Sequence, residues 1–273
     1  PANLLRGGRA TYLDTGTWAD TAAKDAARYG TVDVPWSNKA SGWDHVPEPG
    51  AWGALPEGTV YFHYTSNNTV AGGEFHYVPD AGKALLVCDM SSNILSRKVD
   101  GSQFDLIYAG AQKNLGPSGV TVVIVRKSLV ERMETDLPDM VRYSKQIDKN
   151  SMLNTPCTFG IYMIDRVTAW IEEQGLSTVE ARNVAQASKL YDLIDSSPLF
   201  SAKVREGCRS RMNVTFTTGD AARDTAFVKE ATDAGLSGLK GHRSVGGLRA
   251  SLYNAQTDAA VDALCDFMNR FQS

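Results

Sequence analysis

The sequence predicts an α/β protein with a mostly parallel sheet in its first half and a smaller α+β region in its second half. Short, continuous apolar segments recur between residues 59 and 125, and helical periodicity dominates after Pro156. Continuous apolar runs are typical of strands that are covered on both faces, as in parallel sheets. The change of pattern places a boundary near residue 150, so residues 1–150 and 151–273 are expected to form two units.

The predicted strands of the first half are rich in β-branched and aromatic residues. They are Thr59–Tyr64, Ala84–Cys88, Leu106–Tyr108 and Val120–Val125. Ahead of them, a helix is predicted to begin at Thr17, whose hydroxyl can cap it, and to end at Gly30. Residues 31–58 are rich in proline, glycine and tryptophan, so we expect them to be ordered but irregular.

In the second half, apolar residues three and four apart from Phe159 to Ile171 predict a helix that Gly175 ends. The other elements predicted there are helices over about 178–195, 220–234 and 261–271, and strands over 212–217 and 248–253. This mixture of helices and strands predicts an α+β arrangement for the C-terminal unit.

Composition and charge argue against several classes of function. The net charge is −3, so no excess of basic residues indicates binding to nucleic acid or to an anionic membrane. No run of eighteen apolar residues occurs, so we expect no transmembrane helix. The four cysteines are far apart and form no C-x-x-C pair, which argues against a metal site and indicates a reducing, cytosolic compartment.

Lys113 lies between two apolar strands, among the small residues and glycines of the segment 108–119. A lysine held close to a ligand can attack a carbonyl when desolvation or a neighbouring cation lowers its pKa. By spacing alone, a solvated turn lysine is the more common meaning of this pattern. A phosphate-binding P-loop is a third alternative, and it fails because Gly116 is followed by Pro117 rather than by lysine.

Asp89 follows the predicted strand 84–88 and is a second candidate site residue. A carboxylate at the carboxyl end of a parallel strand lies where α/β sheets bind ligands. In enzymes that use pyridoxal phosphate (PLP), an acid pairs with the pyridine nitrogen, and Asp89 ahead of Lys113 fits that need. A helix cap or a turn is an equally common role for such an aspartate.

Three segments, in this order along the chain, resemble the phosphoserine aminotransferase family. They are Ile107–Gly119, Asn150–Phe159 and Leu239–Asn254. The resemblance extends from about residue 11 to the C-terminus, and several motifs in one order are more specific than any single motif. It implies a fold-type I, class V PLP-dependent aminotransferase with a large parallel-sheet domain and a smaller C-terminal domain.

By this resemblance, Lys113 bonds covalently to PLP and later moves a proton between the substrate Cα and the cofactor. Asp89 would pair with the pyridine nitrogen, and Trp18 would stack on the ring. Thr69 would contact the region of the ring hydroxyl, and Gln112 would also contact the cofactor. Without the resemblance, Trp18 would be expected to anchor the core.

The same resemblance assigns Asn154 and Thr155 to the cofactor phosphate of the partner subunit in a homodimer. Independently, Thr155 followed by Pro156 is typical of an N-cap and a first helical residue. A helix N-terminus suits a phosphate because its free N–H groups and dipole favour anions. Simple capping is the alternative explanation of the pattern, and the two roles can coexist.

Substrate recognition by the family requires cations, since its substrates are anionic. The resemblance assigns Arg249 to the substrate α-carboxylate, which a guanidinium can bind through two parallel hydrogen bonds. It assigns His242 and Arg243 to the substrate phosphate or distal carboxylate, reached across the dimer interface. From spacing alone, His242 and Arg243 would be a solvated surface pair, and Arg249 would belong to a surface ion pair.

The implied reaction moves the amino group of L-glutamate through the cofactor to 3-phosphohydroxypyruvate, which gives O-phospho-L-serine for serine biosynthesis. Some bacterial members also act on a phosphorylated four-carbon analogue in pyridoxine biosynthesis. The N-terminal segment of the family, which helps to bind both phosphates, has no counterpart here. We therefore expect a chain of these 273 residues alone to bind PLP weakly or to fold poorly.

Three alternatives stay open beside this reaction. The first is another fold-type I PLP enzyme, although neither Cys88 at a strand end nor Cys157 at a helix start suits a desulfurase. The second is an inactive, truncated homologue, against which the retention of every matched residue from Trp18 onward argues. The third is a dinucleotide-binding domain, for which no G-x-G-x-x-G follows a strand.

Overall fold

The structure, a computed structural model, describes residues 1–273 and contains a large and a small β-sheet. The large sheet is formed by β1 Arg9–Asp14, β2 Thr31–Ser37, β3 Thr59–Thr65, β4 Leu85–Asp89, β5 Leu106–Gly110 and β6 Thr121–Val125. Its strand order is β2-β1-β3-β4-β5-β6, and only the pairing of β5 with β6 is antiparallel. The predicted mostly parallel sheet is therefore confirmed.

The chain also forms seven α-helices, most of them in its second half. They are α1 Thr17–Ala26, α2 Lys127–Val130, α3 Tyr143–Asp148, α4 Thr158–Gln174, α5 Leu176–Ser196, α6 Ala221–Asp233 and α7 Asp258–Gln272. None of them combines the length and the apolar character that crossing a bilayer demands. The four helices predicted after Pro156 are present within a few residues of their expected bounds.

The small sheet is antiparallel and lies wholly in the second half of the sequence. Its strands are β7 Ser201–Ala202, β8 Asn213–Thr217 and β9 Leu248–Ser251, in the order β7-β8-β9. Together with α5, α6 and α7 it encloses an apolar core that includes Phe216, Phe227 and Met268. The two sheets lie on either side of residue 150 in the sequence, and the division into domains at that residue stays a prediction.

Apolar side chains cover both faces of the large sheet, as its continuous apolar strands require. Phe62, Leu86 and Cys88 belong to one buried cluster. Their chain neighbours Tyr61 and Val87 belong to a second cluster, which α1 covers. Since successive residues of a strand point to opposite faces, the two clusters lie on opposite sides of the sheet.

The prediction of irregular structure over residues 31–58 is wrong for β2. This strand tolerates Pro35 because it lies at the edge of the sheet, where one side of its backbone needs no partner. Its pairing register with β1 also shifts around the proline, since Thr11 pairs with Asp33 but Leu13 pairs with Trp36. Such a bulge removes the pairing that the proline cannot make.

The predicted start of the first helix is also wrong by one residue. Thr17 is the first helical residue, and the N-cap is Gly16, with no side-chain cap. A side chain at Gly16 would collide with the amide of Asn68. The approach of Asn68 to the backbone therefore excludes a threonine cap there.

Candidate active site

The carboxyl ends of β4 and β5 are tied together beside the turn that carries Lys113. Asp89, the last residue of β4, pairs in the sheet with Thr65 on one side and Tyr108 on the other. Its Oδ1 accepts a hydrogen bond from the Ser91 N–H at 2.8 Å. The Ser91 hydroxyl in turn accepts one from the Gly110 N–H at 3.1 Å. These bonds hold the Asp89 carboxylate at the edge where parallel sheets bind ligands.

Lys113 extends from the turn after β5 and is half-buried. Its Nζ donates a hydrogen bond to Thr69 Oγ1 at 2.6 Å. Burial lowers the pKa of Lys113; the negative charge of Asp89 opposes this effect, and the positive charge of Arg249 adds to it. A lower pKa increases the fraction of neutral amine, which is the nucleophilic form of lysine.

The loop between β3 and β4 brings the remaining groups to this lysine. Thr69 is buried, and its carbonyl accepts a hydrogen bond from Arg249 Nη1 at 3.1 Å. The neighbouring Asn68 donates its Nδ2 hydrogen to the Thr15 carbonyl at 2.6 Å, which joins the loop to the start of α1. One short segment therefore contacts Lys113, Arg249 and the chain that leads into Trp18.

Trp18 lies in the first turn of α1, next to this loop. Its side chain is 50% exposed, so the alternative that it anchors the core is wrong. An exposed indole face beside the lysine loop is available to stack on a planar ligand.

Gln112 precedes Lys113 and is exposed, and its side chain lies over Gly110. A Cβ at Gly110 would stand 2.6 Å from Gln112 Oε1, so a larger residue there would require the Gln112 side chain to move. The turn thus places Gln112 over the end of β5, on the chain segment that holds the lysine.

Four predicted site residues make no hydrogen bond to Lys113, Thr69 or Arg249 within one chain. Asn154 and Thr155 are exposed, and the Asn154 side chain bonds only to the Thr155 carbonyl, at 3.2 Å. His242 Nδ1 lies 2.7 Å from the Ser244 hydroxyl in the loop before β9, and Arg243 is exposed. Within one chain the hydrogen bonds of these four residues are therefore local.

The prediction that Thr155 caps a helix is wrong. The helix α4 begins three residues later, at Thr158, with Cys157 as its N-cap. The Thr158 N–H bonds to the Pro156 carbonyl at 2.8 Å, a contact over two residues that turns the chain tightly before the helix. Thr155 is therefore part of an exposed loop.

Sequence reasoning missed Asn68, whose side chain fixes the loop that carries Thr69. Besides its bond to Thr15, Asn68 Oδ1 accepts hydrogen bonds from the N–H groups of Val70 and Ala71, each at 3.2 Å. No motif marks this residue, because its main partner is 53 positions away in the sequence. Only the folded chain brings the two segments together.

Comparison with known proteins shows the family to which this chain belongs. The family model described as aminotransferase class-V matches residues 1–264. The phosphoserine aminotransferase of Desulfatibacillum aliphaticivorans is 48% identical, in an alignment that covers 100% of this chain and 76% of that protein. The one from Hahella chejuensis is also 48% identical, covering 99% of this chain and 75% of that protein.

The chain also matches solved structures over nearly its whole length. Phosphoserine aminotransferase from Bacillus circulans subsp. alkalophilus has a TM-score of 0.96 and 47% identity, covering 100% of this chain and 76% of that chain. The PLP-bound phosphoserine aminotransferase from Trichomonas vaginalis has a TM-score of 0.92 and 40% identity, covering 98% and 77%. The chain therefore belongs to the phosphoserine aminotransferase family of class-V aminotransferases.

Proposed function

We propose that this chain is a phosphoserine transaminase, which moves the amino group of L-glutamate to 3-phosphohydroxypyruvate with PLP as cofactor. The products are O-phospho-L-serine, for serine biosynthesis, and 2-oxoglutarate. One observation carries the proposal: the Lys113 amine donates a hydrogen bond to Thr69 at the ligand-binding edge of the sheet, and burial lowers the pKa of this amine. Membership of the phosphoserine aminotransferase family gives that lysine its reaction.

The side chains at this edge fit PLP. A lysine amine with a lowered pKa can bond to an aldehyde, and the carboxylate of Asp89 suits a protonated ring nitrogen. The buried Nε of Arg249 is a hydrogen-bond donor without a partner, as expected where an anionic substrate is to bind. When bound, PLP supplies an electron sink that stabilises negative charge at the substrate Cα.

The chain's own residues perform the remaining steps. Lys113 would serve as the base that takes the proton from the Cα of glutamate and passes it to the cofactor, and in the second half-reaction it would pass a proton from the cofactor to the Cα of the new amino acid. Thr69 holds the lysine amine at the site through its hydroxyl and steadies Arg249 through its carbonyl. Asp89 would hold the ring nitrogen in its protonated form, Trp18 would stack on the ring, and Gln112 would make a further contact with the cofactor.

Replacing Arg249 by lysine is expected to raise KM for both glutamate and 3-phosphohydroxypyruvate by about 10-fold or more. Lysine keeps the charge but loses the planar fork, and a charge-assisted hydrogen bond contributes about 1.5–3 kcal/mol. Steady-state kinetics with each substrate measure the change. Arg270→Lys, at an exposed arginine of α7, is the matched control and should leave both KM values unchanged. An unaltered KM in Arg249→Lys would exclude Arg249 as the carboxylate binder.

We also propose that the chain forms a homodimer through the start of α4 and the loop before it. Met152, Phe159 and Tyr162 are 62%, 68% and 56% exposed, which is unusual for large apolar side chains so close together in sequence. Asn154 and Thr155 lie in the same stretch. In the dimer these two residues reach the partner's cofactor phosphate, and His242 with Arg243 reaches the partner's substrate.

Introducing charge at this surface is expected to dissociate the dimer. The variant Phe159→Glu with Tyr162→Glu would place carboxylates in an apolar interface, and sedimentation velocity should then find monomers at micromolar concentration. PLP affinity should fall in parallel, since each site would lose Asn154 and Thr155. Val34→Glu, at a 44% exposed valine of β2, is the control and should stay dimeric. A double variant that stays dimeric would place the interface elsewhere.

The cytoplasm is the compartment that we propose for this enzyme. All four cysteines are unpaired, and three of them are buried. Burial raises the pKa of Cys88 to about 12, so its thiol is a poor nucleophile and a poor candidate for desulfurase chemistry.

Competing amino donors test the proposed reaction directly. The protein is incubated with PLP and 3-phosphohydroxypyruvate, together with glutamate, alanine or cysteine, and phosphoserine is measured. We expect glutamate to be preferred by at least about 10²-fold, since only glutamate pairs a second carboxylate with the cationic groups. Preference for alanine, or release of sulfide from cysteine, would indicate another PLP reaction. Absence of any reaction in a protein that binds PLP would indicate the inactive homologue.

A further inference from the structure

A buried polar chain lies beneath Asp89, on the face of the large sheet that α1 covers. His63 of β3 is 2% exposed, and its ring stacks on Tyr12 with 4.5 Å between centroids and an interplanar angle of 26°. On its other side the ring lies 5.9 Å from that of Tyr108, at 29°. His63 Nε2 and the Tyr108 hydroxyl oxygen are 3.0 Å apart, within hydrogen-bonding distance.

Strand register brings this pair to Asp89. Asp89 pairs with Tyr108 on β5 and with Thr65 on β3, two residues after His63. Alternate residues of a strand share a face, so the side chains of His63, Asp89 and Tyr108 lie on the same side of the sheet. Burial raises the pKa of the Tyr108 hydroxyl, and the negative charge of Asp89 raises it further.

Strand register and the His63–Tyr108 contact suggest one direction for the hydrogen bonds among His63, Tyr108 and Asp89. Burial lowers the pKa of His63 to about 3, so its imidazole is neutral at physiological pH. A carboxylate oxygen accepts hydrogen bonds, so a Tyr108 hydroxyl turned toward its sheet neighbour Asp89 would donate to it and would accept from His63 Nε2–H. In that arrangement His63 Nδ1 would carry a lone pair; the atom is buried and has no partner.

We propose that His63 and Tyr108 are positioning residues that hold the Asp89 carboxylate against the ring nitrogen of the cofactor. The inference rests on the proposed role of Asp89 in this enzyme. A hydrogen bond from a hydroxyl stabilises the negative charge of the carboxylate and makes the carboxylate a weaker base. The carboxylate then attracts the proton on the ring nitrogen less strongly. That proton stays on the ring, which remains an effective electron sink.

The test uses the whole protein with bound PLP. The absorbance of the cofactor is measured as a function of pH, because it reports whether the nitrogen that joins Lys113 to PLP carries a proton. Without the hydroxyl in Tyr108→Phe, the ring proton shifts toward Asp89 and the ring loses positive charge. The pH midpoint should then rise by about 0.5–1 unit, the equivalent of one hydrogen bond. His63→Phe should shift the midpoint in the same direction by less.

Two comparisons separate positioning from simple packing. The double variant should shift the midpoint no further than Tyr108→Phe alone, because both changes interrupt one chain. His63→Gln, whose amide N–H can donate to Tyr108, should restore the wild-type midpoint. Tyr12→Phe is the matched control: it removes a buried hydroxyl bonded at 2.7 Å to the Tyr61 hydroxyl, and should lower thermal stability without moving the midpoint.

Other ionisable groups near His63, Tyr108 and Asp89 cannot produce the same shift of the pH midpoint. Burial raises the pKa of Tyr12, Tyr61 and Tyr143, so none of these phenols changes charge near neutrality. The amino group of Pro1, which also acts on His63, is common to every variant.

Each outcome of the titration decides a different claim. Unchanged midpoints in Tyr108→Phe, with normal PLP absorbance in the wild type, would overturn the inference and leave the proposed function intact. A folded wild type that shows no bound-PLP absorbance even at PLP concentrations chosen to saturate a weak site would count against the proposed function itself. Should His63→Phe not fold, Tyr108→Phe alone decides, because it removes a single oxygen atom.

Discussion

Replacing Lys113 by alanine is expected to reduce the rate of amino transfer by more than about 10⁴-fold, the upper range for loss of one acid–base group. The variant loses both the amine that bonds to PLP and the base that moves the Cα proton. No other lysine can replace Lys113, since only Lys113 is hydrogen-bonded to Thr69 beside Asp89 and Arg249. Single-turnover formation of phosphoserine measures the loss.

Two further variants separate chemistry from charge. Lys113→Arg retains a cation at the site but cannot form the bond, and it should be as inactive as the alanine variant. Lys127→Ala removes an exposed lysine of α2 and should keep full activity. Activity in Lys113→Arg above a few per cent of the wild-type rate would mean that this side chain acts only through its charge.

Replacing Glu74 by alanine is expected to lower the free energy of unfolding by about 3 kcal/mol. Its carboxylate is fully buried and accepts hydrogen bonds from Asn93 Nδ2 at 3.1 Å and from the Arg211 N–H at 2.9 Å. Arg97 Nε lies 4.0 Å from the same carboxylate. The substitution would leave a largely buried guanidinium without its counter-ion and two donors unsatisfied. Urea denaturation of the apoprotein measures the change.

Glu180→Ala is the matched control for this prediction. Glu180 also faces Arg211, at 3.7 Å, but both side chains of that pair are one-third exposed. Pairs that reach solvent contribute little, so the control should lose less than about 1 kcal/mol. Equal losses in the two variants would contradict the role given to Glu74. Because Glu74 anchors the loop that carries Thr69, its loss should also weaken PLP binding.

Much of the fold could be predicted from the sequence, because burial on both faces leaves a strong signal. The strands β3 to β6 are short apolar runs, and those runs predicted them. The strand β2 was missed because its residues are half-exposed and Pro35 indicates a loop, whereas an edge position permits the proline. The antiparallel direction of β6 follows from a connection of ten residues without a helix, which an apolar run does not reveal.

The candidate site was predicted unevenly, for a physical reason. In the folded chain Lys113 and Arg249 both hydrogen-bond to Thr69, while the roles that the family resemblance assigns to these residues stay predictions. The roles of Asn68, His63 and Tyr108 carry no local signal, because the His63–Tyr108 contact spans 45 residues. Long-range contacts of this kind depend on strand order, which no single segment specifies.

The most direct measurement is reduction of the protein with borohydride in the presence of PLP, followed by peptide mapping. Reduction fixes the cofactor to whichever amine it has bonded. We expect one modified peptide, which contains Lys113, and no modified peptide in the Lys113→Ala variant. Label on a different lysine, or no label in a folded protein that binds PLP, would contradict this prediction.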